Sequence, residues 1–418
     1  MRDIEVRAAG DLAGEAVGGL GSLIADMHSA VAGRPFGLLG VAAAPTRFLH
    51  DRITSSVYGS LRAAGRAAPR SASAALSRLV PDQAESMSGT VRGGLALGAL
   101  NGALGDRLAR EGSPLALDMT LRSHGVDLEI DRTALADVFP DASGRVVVFV
   151  HGLCGTDDNW RLLPLARDGR ARKSYGSRLR DELGYTPLYL RYNTGLRVSD
   201  NGRRLSDLLG RLHEEWPAEV SEIVLVGHSM GGLVARSACH YGHEQEAAWT
   251  RAVRHVVCLG TPHLGAPLEK AANLFGWALG RLPETRPFGK LVNGRSVGIK
   301  DMRFGSCVED DWCDCDPDEF LNDRCCEVPF LDCATYYFIG ATLSREPNPR
   351  FSAAAGDLLV WYPSASGNGR KRRIPFEADH GAHVGGADHL QLLNHPAVYE
   401  QLRTWLAPRE LGAGTGAG

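Results

Sequence analysis

Residues 221–236, SEIVLVGHSMGGLVAR, decide how the rest of the chain is read. Ile223, Val224, Leu225 and Val226 form a short apolar run, mostly β-branched, that suits a strand covered on both faces. Gly227-His228-Ser229-Met230-Gly231 then matches G-x-S-x-G, and Gly232-Leu233-Val234-Ala235-Arg236 opens a helix. A serine nucleophile needs this arrangement. The cramped turn exposes the Ser229 hydroxyl, and the flanking glycines let strand and helix pass without Cβ clashes. The Met230 N–H falls at a helix N-terminus, where it can stabilise an oxyanion. The bland alternative is a chance pentapeptide in a chain with 50 glycines. The strand pattern before it and the doubled glycine after it argue for the functional reading.

A serine hydroxyl is a poor nucleophile near neutral pH and needs a base, which in turn needs an orienting carboxylate. In sheets of this kind the chain order is Ser, then Asp or Glu, then His. The acid is expected after a late strand, and Gly356-Asp357-Leu358-Leu359-Val360 follows the strand-like run at 334–341. Asp357 is therefore favoured over its competitors Asp379 and Asp388. A turn aspartate beside a glycine is the bland reading. His380, His383 and His389 all precede the closing helix at 396–405. His389 is favoured because it lies closest to that helix and is followed by leucines that can pin its loop. His395, next to Pro396, reads as a cap or packing residue. The second oxyanion donor is expected after RVVVFV (145–150), where His151-Gly152-Leu153 offers the Leu153 N–H. His151 and His228 each adjoin a tight turn and read as structural hydrogen-bonding residues.

Outward from this centre, the chain of 418 residues is long enough for a large core plus an appendage. A hydrophobic content of 44% and a charged content of 23% are those of an ordinary soluble globular protein. A net charge of −3 offers no basic field for nucleic acid. The first residues contain acids and no apolar h-region, so no signal peptide is expected. No run of 18 apolar residues occurs, so no transmembrane helix is expected. Both expectations favour the cytoplasm.

Residues 1–112 read as a helical region. Leu20, Ile24, Met27, Ala30 and Val31 follow a helical period, with Pro35 and Pro45 expected to interrupt. A second helix is expected over 46–67, and Pro69 and Pro81 are expected to bound a third. The fourth, over 88–110, carries Gly94, Gly98 and Gly102 at a spacing that permits close approach. Sibling helices are its simplest partner. A membrane or lipid-body surface is the other.

The catalytic domain is expected over 113–410. It begins with a β-hairpin in which Leu117, Met119 and Leu121 answer Val126, Leu128 and Ile130 across Ser123-His124-Gly125. Strands at 145–150, 186–192, 223–226, 253–259 and 334–341 alternate with helices at 175–183 and 201–216. That alternation predicts an α/β fold, a mostly parallel sheet with helices on both faces. Residues 411–418 have a disordered composition.

Residues 263–333 form an insertion expected to cover the site. Leu264, Leu268, Ala271, Phe275 and Leu279 give residues 264–282 an amphipathic helical pattern, that of a lid which could line an acyl site. Residues 307–333 hold six of the nine cysteines and ten acids against one arginine. Their spacing matches no standard zinc site, and Pro317 spoils the calcium-loop echo of Asp314, Asp316 and Asp318. A reduced acidic loop, one or more disulfides and a metal all remain open. Cys154, Cys239 and Cys258 read as small buried hydrophobes. Arg370-Lys371-Arg372-Arg373 reads as an exposed turn, or as a patch for an anionic surface.

HGLCG, GHSMGG, LGTPHLG, GDLLV and DHLQLLNHPAVYEQLRTWL occur in that order. Together they resemble the α/β-hydrolase superfamily, and more narrowly bacterial triacylglycerol lipases and esterases and the inositol-deacylase-like lipases. The resemblance covers about residues 114–408. It implies Ser229 as nucleophile, Asp357 as orienting acid, His389 as base, and Leu153 and Met230 as oxyanion donors. Secreted lipases of this type carry His-Leu-Asp in the histidine loop, where the aspartate helps hold calcium. Here the match is His389-Leu390-Gln391, and a neutral amide weakens a hard-cation site. No metal or cofactor is expected. The expected function is that of an esterase or lipase acting on acylated, lipid-like carboxylic esters. The alternatives are an acyltransferase or thioesterase using the same triad, or a lipid-surface scaffold in which catalysis is incidental.

Overall fold

The computed structural model describes residues 1–39, 44–81, 83–162, 173–281, 285–345 and 356–407. Residues 411–418, expected to be disordered, lie outside these. Three long helices come first: α1 (Asp3–Leu39), α2 (Ala44–Ser77) and α3 (Val91–Arg110). The expectation that prolines break this region is corrected, because α1 runs through Pro35 and α2 through Pro69. Pro45 falls in the first turn of α2, where its missing N–H costs nothing. An internal proline costs roughly 3 kcal/mol, and close packing on α1 offsets it. Gly10 and Gly14 face α2 so closely that added Cβ atoms would lie 2.9 Å from the Pro69 carbonyl oxygen and 2.6 Å from that of Arg66.

Thr90 caps α3 by accepting from the Gly93 N–H at 3.1 Å. The buried face of α3 carries Gly94, Leu97, Gly98, Asn101, Gly102, Gly105 and Leu108. It packs on the loops of the sheet as well as on sibling helices. The Asn101 amide donates to the Leu115 carbonyl at 2.8 Å and accepts from the Leu117 N–H at 2.9 Å. The Asn193 amide donates to the Gly105 carbonyl at 2.9 Å.

The strands are β1 (Thr120–Ser123), β2 (Val126–Asp127), β3 (Arg145–Val150), β4 (Thr186–Arg191), β5 (Glu222–His228), β6 (Val253–Leu259), β7 (Thr335–Thr342) and β8 (Gly381–Gly385). They form one sheet in the order β2-β1-β4-β3-β5-β6-β7-β8. β1 and β2 pair antiparallel, β1 joins β4 antiparallel, and every pair from β4 to β8 is parallel. The β1–β2 turn places His124 at φ 50° and Gly125 at φ 84°, the left-handed pair that a two-residue hairpin of type I′ requires. β8 was not anticipated. GAHVG has two glycines in five residues and no apolar alternation, and pairing with β7 alone defines it as a strand.

The remaining α-helices among the described residues are α4 (Arg132–Val138), α5 (Asn159–Leu162), α6 (Tyr175–Leu183), α7 (Val198–Glu215), α8 (Met230–Glu244), α9 (Pro267–Gly280), α10 (Arg286–Asn293), α11 (Val297–Asp301), α12 (Tyr362–Ala365) and α13 (Pro396–Leu406). Both sheet faces are covered. Val146, Val148 and Val150 join the residues of α7 and α8 in one core, while Val147 and Phe149 join Leu179 of α6 and Leu402 of α13 in the other. This is why β3 reads as a continuous apolar run.

α9, α10 and α11 belong to the insertion. Its acidic end has one short 3-10 turn, Glu309–Trp312, and is organised by a buried carboxylate. Asp311 accepts from the Cys307, Val308 and Cys326 N–H groups at 2.7, 3.1 and 2.6 Å. All nine cysteines are free thiols in this structure. Cys239 and Cys258 are buried as expected, but Cys154 is exposed. The basic run is also not simply an exposed turn. Arg372 is half-buried and donates to the carbonyls of His263 and Phe304, clamping the root of the insertion.

Candidate active site

The C-terminal ends of β3, β5 and β6 lie side by side, with Val150 opposite Gly227 and His228 opposite Leu259. Ser229 stands directly past β5, at φ 54° and ψ −125°. A non-glycine residue held there stores on the order of 1–3 kcal/mol of backbone strain. Close packing holds it: the Ser229 N–H donates to the Leu259 carbonyl at 2.8 Å. A Cβ at Gly227 would fall 2.4 Å from the Gly232 nitrogen, and one at Gly231 would fall 2.2 Å from the Val150 carbonyl oxygen. The glycines around Ser229 thus mark the places where α8 crosses the strand ends.

Asp357 follows β7 and His389 follows β8, and the two meet beside that margin of the sheet. The His389 Nδ1–H donates to Asp357 Oδ2 at 2.6 Å, and both side chains are buried. The other carboxylate oxygen, Oδ1, accepts from the Leu359 and Val360 N–H groups at 3.1 and 2.7 Å. The His389 N–H donates to the Asp357 carbonyl at 3.0 Å, which ties the two loops together again. Gly260, which follows Leu259 at φ +58°, leaves room for the imidazole. A Cβ there would lie 3.0 Å from His389 Cε1. Ser229 is half-buried, and its hydroxyl has no hydrogen bond to His389. Such contacts are commonly long without substrate and tighten on binding.

Gly152 brings the loop after β3 against the serine, and a Cβ on it would lie 2.9 Å from Ser229 Cβ. Neither the Leu153 N–H nor the Met230 N–H has an acceptor among the described residues. The loop carries Cys154 at φ 60°, and the Cys154 N–H donates to Thr194 Oγ1 at 3.2 Å. The Tyr192 hydroxyl donates to the His151 carbonyl at 2.7 Å. Tyr192 and Thr194 were not foreseen. Their only signal is that they follow β4, at the strand ends where such sheets build sites.

α3 supports this loop from behind. A Cβ at Gly102 would lie 2.3 Å from Cys154 Sγ and 3.0 Å from its backbone nitrogen. Gly102→Val is therefore expected to push the loop and its Leu153 N–H away from Ser229. Displacements near 1 Å cost about 10²-fold in rate, so kcat on a short ester should fall by roughly that factor with KM little changed. An unchanged kcat in a folded variant would show that α3 does not position the loop.

The other histidines have structural partners. His228 Nε2–H donates to the His389 carbonyl at 3.0 Å, and His151 Nδ1–H donates to the Gly152 carbonyl at 3.0 Å. Burial pushes His151 down to about 4 and His228 down to about 3 from an ordinary 6.5. Both are neutral when folded, whereas in the unfolded chain each takes up a proton near pH 6.5. Below that pH the unfolded state holds more protons, so stability should fall as the pH drops toward 4. At pH 5 the loss is about 2 kcal/mol per histidine. Thermal melts from pH 8 to 4 should show a shallower decline in His228→Gln, which keeps an N–H donor. Equal slopes would refute the assignment.

The competitors for the acid lie elsewhere. Asp388 Oδ1 caps the next turn by accepting from the Leu390 and Gln391 N–H groups, both at 2.9 Å. Gln391 Oε1 accepts from the Asp388 N–H at 3.1 Å, so the residue at the calcium-ligand position closes a turn. Asp379 is exposed beside His380. With Glu377 these two form a three-residue group of possible metal ligands among the described residues, at the surface and away from Ser229. His383 Nε2 lies 2.8 Å from Thr342 Oγ1, and His395 caps α13 through Nδ1. Arg236 of α8 was also missed. It is buried and donates to His263 Nδ1 at 3.1 Å, beneath the root of the insertion.

A parallel sheet in this order, a strained serine between a central strand and a helix, and a late acid–histidine pair define an α/β-hydrolase fold. Residues 141–314 match the family model of the PGAP1-like alpha/beta domain. No curated protein matches the chain in sequence. Among solved structures, the chain is similar to the mature Bacillus licheniformis lipase BlEst2, with 17% identity over 63% of this chain and 92% of that one and a TM-score of 0.40. EstA from Clostridium botulinum has 12% identity, 64% and 88% coverage, and a TM-score of 0.36. The Pyrococcus furiosus esterase Pf2001 has 14% identity, 63% and 81% coverage, and a TM-score of 0.32. These likenesses are distant. Among the described residues, no helix is long and apolar enough to cross a membrane.

Proposed function

We propose that the chain is a serine hydrolase that cleaves carboxylic esters of acylated, lipid-like substrates. The observation that carries this reading is the buried Asp357–His389 pair, whose imidazole rests on Gly260, the residue next to the acceptor of the Ser229 N–H. In the reaction, His389 Nε2 takes the Ser229 proton as Oγ attacks the ester carbonyl. Asp357 holds the Nδ1–H tautomer and stabilises the imidazolium. The Leu153 and Met230 N–H groups receive the oxyanion. The alcohol leaves with the proton from His389. Water deprotonated by the same imidazole then releases the acid from the acyl-enzyme.

An apolar substrate is supported by the surroundings of the pair. Leu358, Leu359 and Leu390 follow Asp357 and His389 directly and are exposed, as are Leu268 and Phe275 on α9. The division into a helical region (1–112), a catalytic domain (113–410) and a covering insertion (263–333) belongs to the same proposal. So does contact with a lipid surface through α1 and α2, which expose Val17, Leu20, Ile24, Ile53, Val57 and Leu61.

The test combines a fluorophosphonate with p-nitrophenyl esters from acetate to palmitate. The phosphonate is expected on Ser229 by peptide mass, and turnover should be higher on the longer chains. Absence of label from the folded protein, or label on another residue, would overturn the proposal.

A further inference from the structure

A cavity of about 940 Å³ opens between α1, α3 and α10. Its walls are apolar: Leu12 and Leu23 from α1, Leu97, Leu100 and Leu104 from α3, and Leu291 from α10. None of Ser229, Asp357, His389, Leu153 and Met230 lines it. α3 stands between the cavity and the site, since its Gly98 and Gly102 press on Cys154 and Gly155 from the other face. The space is therefore distinct from the acyl site of the proposed reaction.

The charges at this cavity are unequal in their commitments. Arg107 pairs with Glu15 and with Glu111. Lys290, on α10, also lines the cavity and has no ion-pair partner among the described residues. Asp26 lies eleven residues beyond Glu15 on α1. At 1.5 Å per residue that is roughly 16 Å away, so Arg107 does not neutralise Asp26, which has no ion-pair partner among the described residues. A leucine-lined space of small-molecule size suits a long apolar chain, and the uncommitted ammonium group on α10 can receive an anionic end, away from Arg107 and Glu15. We propose that this cavity binds a free long-chain fatty acid as a non-catalytic ligand, with its carboxylate at Lys290 and its chain between α1 and α3. Bound there, the acid bridges the insertion, through α10, to the helix that backs the Leu153 loop.

The test uses full-length Ser229→Ala and labelled palmitate in equilibrium dialysis. One palmitate per chain is expected. Leu23→Trp and Leu104→Trp, which fill the cavity from opposite walls, should each weaken binding by about tenfold or more. Lys290→Glu should weaken palmitate several-fold and leave hexadecanol unaffected, which separates head-group from chain recognition. Unfolding temperature, together with fluorophosphonate labelling of the same substitutions in the wild-type background, checks the fold. If Leu104→Trp is misfolded, Leu23→Trp and the surface substitution Lys290→Glu decide the matter. Palmitate binding unchanged in the folded variants would overturn the proposal. So would binding that is lost when the wild-type serine carries a phosphonate, since the chain would then lie in the catalytic site.

Discussion

Ser229→Ala is expected to lower turnover of p-nitrophenyl esters by about 10⁴–10⁶-fold while the protein stays folded. The size follows from the role: without Oγ no acyl-enzyme forms, and only the oxyanion donors and substrate binding remain. The intact fold follows from the structure. The elbow is held by backbone contacts and by the glycines on either side of Ser229, none of which depends on the hydroxyl. Alanine keeps the Cβ and so tolerates φ 54° about as well as serine does. Thermal unfolding within a few degrees of wild type, with turnover reduced by that factor to the residual rate of the oxyanion donors and substrate binding, is the expected pair of results. Turnover within tenfold of wild type would remove Ser229 from the mechanism.

Asp357→Asn is expected to cost about 10⁴-fold in kcat. The geometry dictates which way the amide must face. Oδ1 accepts from two backbone N–H groups, so the amide oxygen must take that place. The amide NH₂ then faces His389 Nδ1, which must accept instead of donate. The ring proton moves to Nε2, where it blocks transfer from Ser229. Asp388→Asn should change kcat by less than about threefold, because an amide oxygen can accept from the same two N–H groups that Asp388 caps. Asp379→Asn at the exposed surface should do no more. Equal losses at Asp357 and Asp388 would refute the assignment.

Much of the core was legible because its signals are local. The run RVVVFV is β3, GHSMGG is the elbow, and the order of acid and histidine led to Asp357 and His389, which the structure brings into contact. What escaped depended on distant partners. β8 exists because β7 offers an edge to a glycine-rich segment. Pro35 and Pro69 are carried inside helices, and at Pro69 the glycine face of α1 lets two helices touch. Cys154 stands exposed at φ 60° in a loop packed on α3, and no pattern in HGLCG signals this. Arg372 looked like a surface charge until two carbonyls 68 and 109 residues away turned out to be its acceptors.

The two ends of the sheet carry a further meaning for the molecule in a crowded solution. An open parallel sheet presents unpaired N–H and C=O groups at its margins, and long flat margins recruit strands from other chains. Here one margin, β2, is two residues long and both are exposed. Its Asp127 adds a charge to that margin and pairs with Arg122 and Arg191. The other margin, β8, is five residues, and chain returning at Ser344 and Arg345 crowds its end: the Gly386 N–H donates to the Ser344 carbonyl, and Arg345 backbone lies against Gly385. The brevity of β2 and the crowding at the end of β8 leave little open margin, which shields a sheet with six parallel strands from edge-to-edge aggregation.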